Sequence, residues 1–160
     1  MLSTQPFVRV FALDFSKAFD TVRHDTLMEK MARLALPDAI YNWINDFFSG
    51  HSHCTKFDGS ISDFADILAS VIQGSAIGPA SFTVTASDLQ PEHSGNVIVK
   101  FADDTYVIVP AVNSGTSTSE LTHVQDWAED NNLKLNCLKS KAYSPAVVLV
   151  ASQQYFLLLA

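Results

Sequence analysis

Basic residues are scarce in this chain. Its 160 residues hold 10 Lys and Arg against 17 Asp and Glu, a net charge of −7. Proteins that hold nucleic acid grip phosphate with Lys and Arg, and that contact dominates affinity. The charge balance by itself therefore argues against a nucleic-acid-binding protein unless basic surfaces lie elsewhere. Cysteine is limited to Cys54 and Cys137, far apart, with no CxxC pair and no His/Cys cluster. That argues against a disulfide framework and a zinc site, and the plainer reading is two free thiols in a reducing compartment. Charged residues amount to 17%, below the usual quarter or so, which excludes a disordered polar tail. No long hydrophobic run is present. The apolar stretch 146–160 is broken by Ser152, Gln153 and Gln154, and falls short of the roughly 20 residues that span a bilayer. Met1 to Gln5 are not basic and no long apolar segment follows them, so no signal peptide is expected.

What the chain does have is core. It is 48% hydrophobic with 11 Phe, enough for one domain with a sizeable interior. So low a charge content also fits a piece of a larger protein, some of whose apolar surface meets other parts. The Val- and Phe-rich run 7–15 predicts a buried strand ending near Asp14. Leu27, Met28, Met31, Leu34 and Ala35 fall at helical spacing, with Asp25 as the expected cap and Pro37 as the stop. Pro37 then opens a second helix through Trp43 and Phe48, closed by Gly50. Residues 52–57 and 61–72 predict two strands joined at Asp58-Gly59.

The segment 73–79 (QGSAIGP) predicts a loop leading into a helix of about ten residues. Gly95-Asn96 marks a turn. Residues 97–101 and 105–110 predict two strands with Asp103-Asp104 between them. Residues 117–131 predict a helix with Leu121, Val124 and Trp127 on one face, and 133–136 a short strand. Residues 142–160 are rich in Leu and β-branched residues without turn logic. The order strand, two helices, hairpin, helix, hairpin, helix, strand predicts an α+β fold with an antiparallel sheet.

Asp14 ends an apolar strand, and Asp103 and Asp104 lie between two more. Half-buried carboxylates are costly unless paired, hydrogen-bonded or bound to metal. Adjacent aspartates at a hairpin tip repel, and a divalent cation relieves the repulsion. If the strands are neighbours, Asp14 and Asp103 face a common point. Oxygen donors of this kind suit Mg²⁺. The plainer alternative is that Asp-Asp is an ordinary turn dipeptide and that Asp14 simply terminates its strand.

Four segments, in order, resemble reverse transcriptases of the non-LTR retrotransposon kind. They are FALDFSKAFDTV (11–22), QGSAIGP (73–79), FADDT (101–105) and, more loosely, NNLKLNCLKSK (131–141). The resemblance implies the palm of such a polymerase, an antiparallel sheet with helices packed on one face. It implies palm with part of the fingers over residues 7–141 and an atypical apolar tail over 142–160. It assigns Asp14, Asp103 and Asp104 as catalytic metal ligands, with the carbonyl of Phe15 as an extra ligand. Phe19 would lie beneath the incoming sugar and exclude a 2′-hydroxyl; its alternative is plain core. Gln73 would contact the nucleotide, and Gly74 and Pro79 would let the backbone approach closely. Lys139 would neutralise or protonate the leaving pyrophosphate, with Lys141 as competitor and two solvated lysines as the alternative. His24, His51, His53, His93 and His123 match nothing catalytic and are read as surface or structural residues.

The implied reaction is RNA-templated DNA synthesis with two Mg²⁺ ions, Mn²⁺ substituting. Its partners would be an RNA template, a DNA primer and dNTPs, with no membrane. The setting would be intracellular, in cytoplasm or nucleus. The chain begins near the first motif and stops soon after the fourth. Fingers, thumb and their basic surfaces are therefore expected to be missing, which accounts for the acidic balance. On that ground the isolated chain is expected to be inactive, a relic with a palm-like fold. An interaction module using the uncovered apolar face is the further alternative.

Overall fold

A computed structural model describes residues 6–72, 74–151 and 154–158. In chain order the elements are β1 (Val8–Leu13), α1 (Ala18–Thr21), α2 (His24–Ala32), α3 (Asp38–Phe48), β2 (Ser52–His53), β3 (Lys56–Phe57), β4 (Ser60–Ile61), β5 (Ala65–Asp66), α4 (Ile77–Thr85), β6 (Val97–Phe101), β7 (Asp104–Pro110), α5 (Ser117–Asp130), β8 (Lys141–Ala151) and β9 (Gln154–Leu158). A 3-10 segment, Ala111–Thr116, leads into α5. The fold is α+β, with a reverse-turning antiparallel sheet as its frame. No helix among the described residues is long and apolar enough to cross a membrane.

The chain forms two compact units, Met1–Ala18 with Ala86–Ala160, and Phe19–Thr85. The first holds a five-stranded sheet in the order β6-β7-β1-β8-β9, antiparallel throughout. The apolar run at the start of the chain sits at its centre because both faces of β1 have cover. Val8 and Val10 are fully buried on one face, with Tyr106, Ile108 and Tyr143 against them. On the other face Arg9 and Phe11 pair with Val109 and Val107, both fully buried. Arg9 donates to the Ser114 carbonyl (3.0 Å) and to Ser117 Oγ (3.4 Å), at the start of α5, so α5 lies over that face. The stretch after Lys141 lacks turn logic in the sequence, but its described backbone pairs in strands: β8 runs against β1 over residues 141–146 and against β9 (Gln154–Leu158) over residues 147–151.

In the second unit α2 packs against α3 and α4. Leu27, Met28 and Met31 of α2, Ile44 and Phe48 of α3 and Phe82 of α4 are buried. Val71, also in this unit, is buried too. His24 has a structural role here: its ring lies 4.8 Å from that of Phe48, and Nε2 is 2.7 Å from the Ser70 carbonyl.

Several boundaries differ from the sequence expectation. Asp25 does not cap α2. The cap position lies two residues earlier, at Arg23, and the Asp25 carboxylate accepts from the adjacent Thr26 amide instead. That helix ends at Ala32 rather than Leu36, its last turn tightening through i to i−3 bonds at Arg33 and Leu34. Asp58-Gly59 does close a hairpin, with both residues left-handed at φ +46 and +78. The expected long strands around it are two-residue ladders, β2 with β5 and β3 with β4. Their apolar residues Phe57, Ile61, Phe64 and Leu68 are exposed, so no core holds longer strands in place. The expected strand 133–136 is a single bridge, Phe15 with Leu135, because the chain turns away at Asn136.

Candidate active site

The register of β1, β6 and β7 assembles the acidic residues. The last pair of β1 with β7 is Leu13–Thr105, so Asp14 follows β1 where Asp104 opens β7. Phe101 pairs with Asp104, leaving Ala102 and Asp103 as a two-residue turn. Ala102 is left-handed, φ +52, while Asp103 is not. All three aspartates thus lie at one end of the sheet and within one unit. Asp14 and Asp103 are half-buried and Asp104 is exposed. Among the described residues none of the three carboxylates takes a hydrogen bond or ion pair.

The left-handed turn residue carries a cost. An L-residue there loses about 1–2 kcal/mol, and glycine's extra chain entropy costs about 0.5–1 kcal/mol. Relief outweighs entropy, so Ala102→Gly is expected to raise the melting temperature by about 1–3 °C. A lowered melting temperature in thermal denaturation would show that the methyl group stabilises the turn instead.

Phe15 is buried, its ring edge-on to Trp127 at 6.1 Å. The Trp127 indole donates to Asp88 Oδ1 at 3.0 Å. This anchoring fixes the Phe15 backbone, which bridges to Leu135. Lys139 is exposed within the turn 136–140, and Lys141 opens β8 opposite Ala12. The turn also binds Asp14 directly: the Asn136 amide donates to the Asp14 carbonyl (2.8 Å), and the Asp14 amide donates to Ser140 Oγ (3.2 Å). The structure therefore places Asp14, Asp103, Asp104, Phe15 and the segment bearing Lys139 in one unit.

Phe19 and Gly74 belong to the other unit. Phe19 is half-buried, its ring 5.2 Å from that of buried Phe82, so one side of it is core. Gly74 is exposed and left-handed, φ +87, with open space around a would-be Cβ. Gln73 lies outside the described residues. Pro79 is inside the first turn of α4, where a missing N–H costs nothing. The glycine of this segment with a packing demand is Gly78, where an added Cβ would come within 2.8 Å of the Ile72 carbonyl.

Sequence reasoning missed Glu120. It is fully buried on α5, with Oε1 accepting from the His93 amide (2.7 Å), Asn96 Nδ2 (2.7 Å) and the His93 ring (3.2 Å). Oε2 accepts from the Glu92 amide at 3.2 Å. Burial pushes its carboxyl up, but the Asn96, His93 and Glu92 hydrogen bonds outweigh that and hold it below the usual range. The available signal was its spacing: Glu120, Val124 and Ala128 recur every four residues on one buried face. Cys54 and Cys137 are free and exposed.

The donor chemistry of Asp14, Asp103 and Asp104 fits a hard divalent cation, since all three are oxygen ligands without competing partners. Among the described residues no three His, Cys, Asp or Glu side chains converge tightly enough to hold an ion.

Residues 5–157 match the family described as reverse transcriptase (RNA-dependent DNA polymerase). The RNA-directed DNA polymerase from mobile element jockey of Drosophila melanogaster is 34% identical over 139 residues, covering 79% of this chain and 15% of that protein. The probable RNA-directed DNA polymerase from transposon X-element of the same species is 28% identical over 139 residues, covering 80% and 15%. The chain thus spans about 15% of the length of these relatives. Among solved structures, telomerase from Candida tropicalis with a telomeric RNA fragment shares the fold with a TM-score of 0.69 at 10% identity, over 93% of this chain and 28% of that one. Telomerase from Candida albicans, also with telomeric RNA, gives 0.64 at 12% identity, over 89% and 28%.

Proposed function

The chain belongs to the reverse transcriptase (RNA-dependent DNA polymerase) family, of the non-LTR mobile-element kind, and from that premise we propose that it carries the catalytic palm for RNA-templated DNA synthesis. Reverse transcriptases as a family use divalent metal ions. The observation that carries the proposal is the set of three aspartates at one sheet end, unpaired among the described residues. A structural carboxylate in the same unit looks different: Glu120 accepts hydrogen bonds at both of its oxygens, three at Oε1 and one at Oε2.

In this reading Asp14, Asp103 and Asp104, with the Phe15 carbonyl, hold two Mg²⁺ ions, for which Mn²⁺ substitutes. When bound, the ions neutralise phosphate charge and lower the pKa of the attacking hydroxyl. The primer 3′-hydroxyl displaces pyrophosphate from the α-phosphate of a dNTP. Lys139 sets a cation or proton against the charge developing on the pyrophosphate. The half-exposed side of Phe19 restricts the sugar to 2′-deoxy, and Gln73 and Gly74 contact the nucleotide. Residues 7–141 make up the palm with part of the fingers, and 142–160 an added apolar segment. RNA template, DNA primer and dNTPs are the partners, which sets the chain in cytoplasm or nucleus.

Primer extension on an RNA template, with dNTPs and Mg²⁺ or Mn²⁺, tests this. Whatever extension the chain supports is expected to disappear in Asp103→Asn. Equal extension by both would remove Asp103 from the site, and no extension by either would remove polymerase activity from this chain.

A further inference from the structure

The β1–β8 ladder stops at the pair Ala12–Lys141. One step further, the backbone of residues 136–140 curls into a turn, with the Lys139 and Ser140 amides both donating to the Asn136 carbonyl (3.1 and 2.9 Å). The ladder acceptor that Asp14 would have met is therefore gone. A side chain replaces it. The Asp14 amide donates to Ser140 Oγ (3.2 Å), and that hydroxyl donates in turn to the Asn136 carbonyl (2.9 Å). The Asn136 amide closes the ring by donating to the Asp14 carbonyl (2.8 Å).

We propose that Ser140 is the positioning residue for Asp14, its hydroxyl fixing the backbone from which the metal-binding carboxylate projects. This rests on the cation site proposed above. The Asp14 carboxylate has no other tether among the described residues, so its aim is set by its backbone. The amide and the carbonyl of Asp14 both end on the one turn that carries Lys139. Of the two bonds, the amide's depends on a side chain and the carbonyl's does not. Only a hydroxyl one carbon from the backbone can both accept from Asp14 and donate to Asn136. Ser140 touches neither substrate nor ion; it acts through Asp14.

Mn²⁺ binding to the full 160-residue chain, read from the electron paramagnetic resonance signal of free Mn²⁺, tests the assignment without requiring turnover. Ser140→Ala is expected to weaken binding by about 10-fold, the range seen when an outer-shell partner of a metal ligand is lost. Ser140→Thr keeps the hydroxyl and is expected to bind as the wild type does. Ser140→Val matches Thr in shape without the hydroxyl and is expected to weaken binding as Ala does. Should the Ala variant not fold, the Thr and Val pair decides alone. Equal affinity in Thr and Val overturns the role of Ser140. Asp103→Asn separates the two ideas. If it weakens Mn²⁺ binding while Ser140→Val does not, positioning by Ser140 fails and the cation site stands. If it leaves Mn²⁺ binding untouched, the cation site fails and the role of Ser140 falls with it.

Discussion

If the proposed polymerase activity holds, Asp14→Asn is expected to lower primer extension by about 10³-fold or more, the scale on which losing one preorganised electrostatic group in a site acts, while barely moving the melting temperature. The two halves of this expectation have separate causes. Catalysis suffers because an amide oxygen is a weaker ligand than a carboxylate and brings no negative charge to a divalent cation. Stability is spared because the fold holds Asp14 by its main chain, through Asn136 and Ser140, and among the described residues nothing bonds its carboxylate. Removing a charge that has no partner and is half-buried relieves a desolvation cost rather than creating one. A combined measurement of extension rate and thermal unfolding checks both. A large drop in melting temperature would mean that the Asp14 carboxylate is structural. An unchanged rate would place the cation elsewhere and undo the proposed function.

The contrast between legible and illegible parts follows from how local each cause is. The hairpin bearing Asp103 and Asp104 was readable because two β-rich runs flank a two-residue turn, and that signal is complete within ten or so residues. The Asp58-Gly59 turn was readable for the same reason. The helix starting at His24 begins two residues earlier than an Asp25 cap implies, because no side chain caps it: Arg23 makes no capping bond and Asp25 bonds its own neighbour. The strand expected at 133–136 fails for a non-local reason. Leu133 to Asn136 has strand composition, but its pairing is confined to the short stretch Asp14–Ser16, with one bridge, Phe15 to Leu135, before the chain turns at Asn136. Ser140 and Glu120 were illegible as positioning groups because each works on residues far away in sequence, Asp14 across 126 positions and His93 across 27. Motif resemblance locates groups that meet substrate. It is silent on the groups that hold them still.

Glu120 is where such a supporting group should show its largest effect on stability. Glu120→Ala is expected to destabilise the chain by about 3 kcal/mol or more, since it leaves several buried donors without an acceptor. Those donors, the amides of Glu92 and His93 and the Asn96 side chain, shape the turn that feeds β6, the strand whose far end carries the Asp103 turn. Asn96 cannot simply rotate away, because Asn113 and Thr116 hold it as well. Glu120→Gln keeps the shape but points an amide NH₂ at donors, so it is expected to lose nearly as much. The carboxyl's lowered pKa gives a signature that packing alone would not. Unfolded, the group takes a proton near its ordinary 4.5; folded, it resists until lower pH. Its contribution is therefore fully present above about 4.5 and is lost as pH falls through the folded value. The glutamine variant has no such titration. The gap in unfolding free energy between wild type and Glu120→Gln should be constant at neutral pH and shrink as pH falls below 4.5. A gap that stays constant on acidification would mean that the charge on Glu120 contributes nothing and that only its shape matters.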